Sequence, residues 1–326
     1  MRTYEAAGYI TTFGFITTLI TNSILIFLTI FRIKLIRGTY KWMIVIFAVL
    51  GILFSIVEVI VRPSAHNFNE AWIFFSLNLS LPKWLMSIGV GCYSGFYCSL
   101  LAFVAVQFLY RCWTIVDSQL VRTFEGFKVL IWIFFVTLPC SFFAAFLHFS
   151  VAPDDVADGY LREEVLNVYG LSIEDVPRFV MLAYDSEGDI RWKNASFVFT
   201  VAIVLTLDLL IIGYCALRMR REINKNLKNM SKTNRQLEKQ FFKALLAQCG
   251  FPTFLLAIPA GIILFLPFFR LKVSLQSGFM FALYSLYPPL DSVAIMMIIA
   301  EYKNCVKQML KGTTTQVGRA ASVTVF

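Results

Sequence analysis

The chain has 326 residues, of which 58% are hydrophobic and 15% are charged, and its formal net charge is +9. Soluble domains carry roughly 25% charged residues, so the composition excludes an ordinary soluble protein and indicates that lipid covers much of the surface. In such a chain a positive charge reflects which loops face the cytosol, and we expect no nucleic-acid partner. The seven cysteines and two histidines lack metal-ligand or disulfide spacing, so we expect no metal and no cofactor.

Seven apolar runs are each long enough to cross a bilayer, which needs about 20 residues per helix. We predict helical spans at 8–31, 42–61, 85–110, 129–150, 195–217, 241–266 and 277–299. The first run is followed by Arg32, Lys34 and Arg37 rather than by a cleavage site, which indicates a membrane anchor and not a removed signal peptide. The predicted fold class is therefore an all-α membrane protein, a seven-transmembrane helix bundle.

Basic residues concentrate in the loops on one side of the predicted bundle. These segments are 32–41, 111–128, 218–240 with Lys243, and 300–326. They hold 20 basic and 5 acidic residues, whereas the segments on the other side hold 9 basic and 12 acidic ones. Because positive loops face the cytosol, we predict an amino terminus outside the cell and a cytosolic carboxyl terminus. The sequons at Asn78 and Asn194 fall on the predicted outer side and are candidate glycosylation sites.

Three acidic side chains fall inside the predicted spans, where charges are costly and often functional. Glu58 lies near the outer end of span two, and Arg62 follows at i+4, the spacing of an ion pair on one helix face. We favour a structural anchor over ligand contact for these two. Asp208 lies about 18 Å into span five, and we expect it to be protonated or hydrogen-bonded, with a switch role as the alternative. Asp291 follows Pro289 in span seven and suits a switch or a structural role.

Aromatic side chains concentrate in the outer halves of spans three, four and seven. Helical spacing places several of them on common faces, where they would line an apolar cavity with a few hydroxyl groups, as small-molecule pockets do. The alternative is ordinary aromatic packing and an interfacial belt. The candidate ligand-binding residues are Tyr93, Phe96, Tyr97, His148, Phe281 and Tyr284.

The cytosolic side offers a hinge and a basic surface. Pro252 and Pro259 remove backbone donors from span six and predict a bend there. The segment 218–243 contains no proline or glycine and is predicted to extend spans five and six into the cytosol, where its basic helix ends would suit anionic membrane lipid and a cytosolic protein partner. Plain positive-inside topology is the alternative. The candidate residues that face this partner are Tyr110, Arg111, Arg235, Lys239 and Lys243, with Arg111 as the leading switch candidate.

Two further segments complete the chain. The longest outer loop, 151–194, carries ten acidic and four basic residues; we prefer a solvated loop with a short helix, and a lid over the pocket mouth is the alternative. Residues 301–311 are predicted as an amphipathic helix on the inner membrane surface, so the receptor domain covers 1–311 and a short flexible tail covers 312–326. Cys305 in that helix is either a palmitoylation site or a free thiol.

Local sequence at the ends of several spans resembles a known receptor family. The segments that carry the likeness are GTYKWM (38–43), VEVIVRP (57–63), QLEKQFFKALLAQ (236–248) and LYPPLD (286–291). They resemble the nematode serpentine chemoreceptors of the str class and the related srj class, over about residues 36–308. The resemblance implies a G-protein-coupled odorant receptor in the ciliary membrane of sensory neurons. Its implied partners are a small volatile or apolar molecule between spans three, five, six and seven and a heterotrimeric G protein, and a receptor oligomer or trafficking partner stays open.

The sequence also departs from rhodopsin-like receptors. Tyr110 stands where an acid usually precedes the arginine of span three, and the loop 151–194 has no cysteine. We find no nucleophile-elbow, phosphate-loop or zinc-protease motif, so no enzymatic activity is expected. The alternative function is a ligand-gated channel or a small-solute transporter, which the scarcity of charges inside the spans and the lack of an internal repeat disfavour.

Overall fold

The computed structural model describes residues 3–225 and 232–310, and the predicted tail 312–326 lies outside them. The elements in chain order are α1 (Thr3–Phe27), α2 (Thr39–Val61), β1 (Pro63–Phe68), β2 (Ala71–Ser76), α3 (Lys83–Val116), α4 (Val129–Ser150), α5 (Asp155–Tyr169), β3 (Arg178–Leu182), α6 (Trp192–Lys225), α7 (Lys232–Pro252), α8 (Ile258–Phe265), β4 (Ser274–Leu275), α9 (Gly278–Tyr284), α10 (Tyr287–Ile298) and α11 (Ala300–Leu310). The helical bundle predicted from the sequence is confirmed.

Six helices within the described ranges are long and apolar enough to cross a membrane by length and composition. They are α1, α2, α3, α4, α6 and the continuous pair α9–α10. The remaining predicted span, the sixth, is α7 joined to α8 through a π-helical turn, Thr253–Ala257. Because α3 and α6 have 34 residues each, they are about 50 Å long at 1.5 Å per residue and project well beyond a bilayer core of about 30 Å.

A four-stranded antiparallel sheet, which the sequence interpretation missed, covers one end of the bundle. Its strand order is β3-β2-β1-β4. The β1–β2 hairpin turns at Asn69, whose φ of 49° is a left-handed conformation that asparagine tolerates. Alternation along β2 places Trp72 and Phe74 in the bundle core and Ile73 and Phe75 in a second core on the opposite face. We call this end of the molecule the sheet end.

The second core lies between the sheet and α5. Leu161 and Val165 of α5 pack on the outer face of the sheet, and the Asp154 carboxylate caps the helix by accepting from the Ala157 amide at 2.9 Å. The preference for a solvated loop at 151–194 is therefore wrong in part. The short helix expected there is present as α5, and burial of its apolar stripe turns this segment into a folded layer on the sheet. A lid over the pocket mouth stays a prediction.

The opposite end of the bundle carries the basic ends of α3, α6 and α7, and we call it the basic end. Here α11 is fixed to the end of α1, because the Glu301 carboxylate accepts from the Lys34 and Leu35 amides at 3.0 and 3.2 Å and the Tyr302 and Thr29 hydroxyls lie 2.7 Å apart. The Cys305 side chain is 9% exposed and packs in the bundle core. Its burial favours the free thiol over palmitoylation.

Candidate functional site

An apolar cavity of about 120 Å³ lies within the bundle, beneath the sheet. Side chains from β2, α3, α4, α6, α8 and α9 line it. Four of the six predicted ligand-binding residues contribute to this lining: Tyr93, Tyr97, Phe281 and Tyr284. No charged side chain among the described residues contributes. The arrangement suits a small neutral molecule, because burying an ion without a partner would be costly.

The other two predicted ligand-binding residues lie outside the cavity. The Phe96 ring packs toward Phe54 of α2, with centroids 6.4 Å apart. The His148 side chain is exposed; its Nδ1–H donates to the Ala144 carbonyl at 2.8 Å, and its ring lies 4.7 Å from that of Phe179. The spacing on α4 therefore directs His148 away from the cavity.

A second cavity, of about 410 Å³, lies at the sheet end between α1, α2 and α9. Its lining includes the exposed side chains of Glu5 and Arg62 as well as Gln276. Although it is larger, it contains none of the predicted ligand-binding residues and has no described connection to the irregular part of α7–α8. We therefore take the smaller cavity as the candidate ligand site and call it the apolar cavity.

The tyrosines of the apolar cavity contact the irregular part of the sixth span. The Tyr97 and Tyr284 rings stack with centroids 5.1 Å apart, and the Tyr97 hydroxyl donates to the Pro252 carbonyl at 3.4 Å. Immediately beyond Pro252, the Ile258 amide bonds to the Thr253 carbonyl, five residues back, in a π-helical turn. Wide turns of this kind are frequent at functional sites.

The break in hydrogen bonding at Pro252 is repaired from the seventh span. Because proline has no N–H, the Gln248 carbonyl lacks its usual partner four residues on. The Tyr287 hydroxyl donates to that carbonyl at 3.3 Å, and the Gln248 side-chain amide donates to the Asp291 carboxylate at 3.1 Å. Asp291 is 2% exposed. These contacts tie α7 to α10 one turn below the cavity.

Asp291 belongs to a small polar cluster between α1, α2 and α10. The Ser292 hydroxyl donates to the Asn22 side-chain oxygen at 2.5 Å, and the Asn22 amide donates to the Ala48 carbonyl at 2.8 Å. The second Asp291 oxygen, Oδ1, has no hydrogen-bond partner in the part of the chain that the structure describes. The Asn22 bonds join α1, α2 and α10 beside Asp291, whose own carboxylate is held by Gln248 of α7.

The predicted ion pair of Glu58 with Arg62 is wrong. Helix α2 ends at Val61, and Arg62 adopts a left-handed conformation with φ of 49°, so the i+4 geometry is lost. The Arg62 side chain is exposed, whereas Glu58 is buried and accepts from the Tyr93 hydroxyl at 3.4 Å. Glu58 thus holds a cavity tyrosine in place instead of pairing with an arginine.

Asp208 is buried in α6 but does not line the cavity. Its Oδ2 atom makes no hydrogen bond to any described residue. The structure therefore gives Asp208 no contact with the other candidate site residues along the route from the cavity to α7, and the sequence-based switch hypothesis for this residue has no further support.

The basic end contains an ion pair between α3 and α7. Arg111 Nη2 lies 2.8 Å from Glu238 Oε2, and the two side chains are only 6% and 12% exposed. The Arg111 guanidinium also lies over the rings of Tyr40 and Phe241, at 4.7 and 4.2 Å. Arg111 was predicted to face a partner, but here it is covered by α2 and α7.

The other residues predicted at this end differ in accessibility. Tyr110 is buried and packs against Tyr40 and Phe124, with centroids 6.2 and 5.0 Å apart. Arg235 is half-buried, and Lys239 and Lys243 are exposed. Sequence reasoning missed Glu238; the available signal was an acidic side chain within the strongly basic segment 218–243.

The two candidate glycosylation sites differ in accessibility. Asn194 is 3% exposed, and its side-chain amide donates to the Ser150 carbonyl at 2.9 Å, so the folded chain has no room for a glycan there. Asn78 is half-buried at the sheet end, and its amide donates to the Ile60 carbonyl at 2.7 Å. Asn194 is thus an unsuitable site, and Asn78 stays a prediction.

Comparison with known proteins agrees with this architecture. The family model described as "Serpentine type 7TM GPCR chemoreceptor Str" matches residues 7–307. The chain is 39% identical to the G-protein coupled receptor str-33 of Caenorhabditis elegans, over 92% of this chain and 90% of the relative. It is 28% identical to the serpentine receptor class r-10 of the same organism, over 88% and 86%.

The solved structures show the same fold. Squid rhodopsin superposes with a TM-score of 0.60, covering 95% of this chain and 85% of the rhodopsin, at 13% identity. At that identity the likeness shows the fold alone. The family model and the str-33 relative match nearly the whole sequence. The chain therefore belongs to the Str family of serpentine seven-transmembrane G-protein-coupled chemoreceptors.

Proposed function

We propose that this protein is a chemosensory receptor that binds a small, neutral, largely apolar molecule in the apolar cavity and activates a heterotrimeric G protein. The observation that carries the proposal is the hydrogen bond from Tyr97, which lines the cavity, to the carbonyl of Pro252 at the π-helical turn. A ligand that displaces the Tyr97–Tyr284 stack acts directly on the most irregular point of the sixth span.

A small bend at that point is enough to open the basic end. Glu238 lies fourteen residues from Pro252, which is about 21 Å along the helix axis. A bend of roughly 10° then moves Glu238 by about 3.5 Å, more than the 2.8 Å that separates its carboxylate from Arg111. Ligand binding thereby breaks the Arg111–Glu238 pair and exposes Arg111 to the α subunit, with Lys239 and Lys243 beside it.

The orientation follows from charge. The basic end faces the cytosol and its anionic lipid, and the sheet end faces outward. In a sensory neuron the ciliary plasma membrane is the location that fits this role. Glycosylation adds mass to the receptor, and loss of that added mass in Asn78→Gln would support an external sheet end.

The proposal is tested by expressing the receptor with a Gα subunit and a calcium reporter and screening volatile compounds. Gly261 lines the cavity, and a Cβ atom added there meets no side chain or neighbouring backbone within 4 Å. Gly261→Leu places further apolar atoms at the cavity lining and is expected to abolish responses at normal surface expression. Gly213→Leu is the matched control, because Gly213 of α6 has equal free space and lies outside the lining.

Three results would contradict the proposal. Responses that persist without Gα would favour a ligand-gated channel. Responses that survive Gly261→Leu would move the ligand to another site, of which the larger cavity beside Arg62 is the first to examine. Equal loss in Gly213→Leu would show a general effect of the substitution on the helices.

A further inference from the structure

The larger cavity, at the sheet end between α1, α2 and α9, lies where these helices begin or end. Its volume of about 410 Å³ is within the range of about 300–1,000 Å³ that ligand pockets occupy. The lining includes Gly8 near the start of α1, Arg62 directly after α2, and Gly278 at the start of α9. In a membrane such helix ends lie at the level of the lipid head groups. The cavity is therefore placed to receive a polar group from the membrane surface.

The backbone fixes Arg62 in an unusual conformation beside this cavity. Its φ of 49° is left-handed, which is costly for a residue that carries a side chain. The Arg62 amide donates to the Glu58 carbonyl at 2.8 Å, and its carbonyl accepts from the Leu77 amide at 3.1 Å. A Cβ atom added at Gly8 would lie 3.7 Å from Arg62 Nη2. The guanidinium is thus held next to α1, at a position where Gly8 leaves room for it.

The Arg62 guanidinium keeps its hydrogen-bond donors available to a ligand. The side chain is exposed, and it forms no ion pair with any residue in 3–225 or 232–310. A guanidinium presents its N–H groups as a planar fork that matches the oxygens of a phosphate. Arg62 can therefore bind a phosphate in the cavity without giving up an ion pair within the described protein.

Exposed aromatic side chains connect the cavity with the lipid-facing surface. Tyr9 of α1 is 72% exposed, Phe279 of α9 is 38% exposed, and both line the cavity. Because both residues belong to helices that can span the membrane, their exposed faces contact lipid there. An amphiphile with its polar group on Arg62 can extend its chains past these two rings into the bilayer. A small soluble anion would leave the rings uncovered.

The charges of the lining favour a head group without net charge. Glu5 and Arg62 are the two ionised side chains of the described lining, so their charges cancel. Such a lining gives a lipid with a net negative charge no advantage over a zwitterionic one. Anionic phospholipids also concentrate in the cytoplasmic leaflet, whereas the sheet end is proposed to face outward.

We propose that this cavity binds the head group of one zwitterionic phospholipid from the outer leaflet, with the lipid phosphate on the Arg62 guanidinium and the acyl chains beside Tyr9 and Phe279. The inference rests on the proposed function, because the outward orientation of the sheet end selects the leaflet. The lipid site is separate from the apolar cavity, since the two cavities share no lining residue.

The test measures lipid binding to the purified receptor in detergent by native mass spectrometry. The probes are dioleoylphosphatidylcholine, the anionic dioleoylphosphatidylglycerol, dioleoylglycerol, which lacks the phosphate, and glycerophosphocholine, which lacks the chains. We expect the wild type to bind one phosphatidylcholine about tenfold more tightly than dioleoylglycerol, as a hydrogen bond to a charged group provides, and no less tightly than phosphatidylglycerol. Glycerophosphocholine should bind much more weakly, because burial of the chains contributes to the affinity of the lipid.

Arg62→Gln removes the charge and keeps a side chain of similar reach. It is expected to weaken phosphatidylcholine binding about tenfold and to leave dioleoylglycerol binding unchanged, which also shows that the variant is folded. Lys193→Gln is the matched control, because Lys193 is an exposed base at the start of the spanning helix α6 and lies outside this cavity. It is expected to preserve the preference.

Gly8→Leu separates the cavity from its charge. The added side chain occupies space beside the guanidinium and retains Arg62, so it should weaken the binding of both lipids at an unchanged melting temperature. Ionic strength gives a second readout. Added salt should weaken phosphatidylcholine binding in the wild type and have little effect in Arg62→Gln, because exposed charges are screened.

Several outcomes overturn the inference. They are equal affinity of the wild type for phosphatidylcholine and dioleoylglycerol, a preference for phosphatidylglycerol, no binding of any lipid, and equal loss in Lys193→Gln and Arg62→Gln. Glycerophosphocholine that binds as tightly as the lipid would indicate a site for a soluble phosphate compound and also overturns it.

The two proposals fail in different ways. If the Arg62-dependent preference is found but no volatile compound accelerates nucleotide exchange on Gα, the lipid site holds and the signalling proposal fails. If the receptor signals while Arg62→Gln leaves phosphatidylcholine binding unchanged, the receptor function holds and the lipid site fails.

Discussion

Glu238→Gln is expected to make the receptor active without a ligand. The substitution keeps the size of the side chain and removes its charge, so the attraction to Arg111 is lost while a neutral hydrogen bond is retained. At an effective dielectric constant near 20, two charges about 4 Å apart attract by about 4 kcal/mol. Desolvation of the two buried groups offsets part of this attraction. A hydrogen bond to a charged group contributes about 1.5–3 kcal/mol and a neutral one about 1 kcal/mol, so the net loss is about 0.5–2 kcal/mol.

That loss falls on the closed state, in which α3 and α7 are joined at the basic end. The ratio of open to closed receptor should therefore rise about twofold to thirtyfold, because each 1.4 kcal/mol is about a factor of ten. The assay is ligand-free nucleotide exchange on a heterotrimeric G protein by purified receptor in nanodiscs, at equal receptor concentration.

The matched control is Glu125→Gln, which makes the same chemical change at an exposed carboxylate of the basic end. Its basal exchange should equal that of the wild type. An unchanged basal rate in Glu238→Gln, or an equal increase in Glu125→Gln, would refute the reasoning, because either result separates activity from the buried ion pair.

Three further predictions concern stability. In Gly95→Val an added Cβ would clash with the Cys140 carbonyl oxygen of α4. The free energy of unfolding should therefore fall by about 1–3 kcal/mol or more, which a lower melting temperature would reveal. Burial lowers the pKa of His66 from its ordinary 6.5, although Glu164 opposes this shift. The unfolded chain therefore binds more protons than the folded one, and stability should fall as the pH drops below 6.5. His66→Gln should flatten the profile of melting temperature against pH. Arg178→Met should leave the Asp158 carboxylate buried without its partner, which costs about 3–5 kcal/mol and should be visible as faster proteolysis at the sheet end.

The spans could be predicted because the signal is local. A membrane helix must satisfy its backbone within about 20 consecutive residues, so each of the seven apolar runs is informative by itself. The aromatic spacing on α3 was informative for the same reason: Tyr93 and Tyr97 are one turn apart and both line the cavity.

The sheet was missed because its signal is not local. β2 pairs with β3, about a hundred residues away in the sequence, and both strands are buried on both faces. The polar-apolar alternation that marks a half-exposed strand is therefore absent. The sign of a strand that the sequence did contain is the run AWIFFS (71–76), six apolar or small residues that directly follow Glu70.

Two pairings also show the limit of spacing rules. Glu58 and Arg62 have the separation of an ion pair on a continuous helix, but the helix ends between them. Arg111 and Glu238 form the ion pair at the basic end although 127 residues separate them. Which acid meets which base depends on the packing of α2, α3 and α7, and the sequence contains that information only through the complete fold.

If occupancy of the apolar cavity opens the basic end, the distance between α3 and α7 at that end should change when a ligand binds. Spin labels at Thr114 and Gln236, at the basic ends of these helices, allow that distance to be measured by pulsed electron resonance in nanodiscs. An agonist is expected to lengthen it by about 3.5 Å or more, as a bend of roughly 10° at Pro252 requires, and Gly261→Leu is expected to abolish the change. If an agonist accelerates nucleotide exchange while the distance stays constant, the basic end does not open in the way proposed.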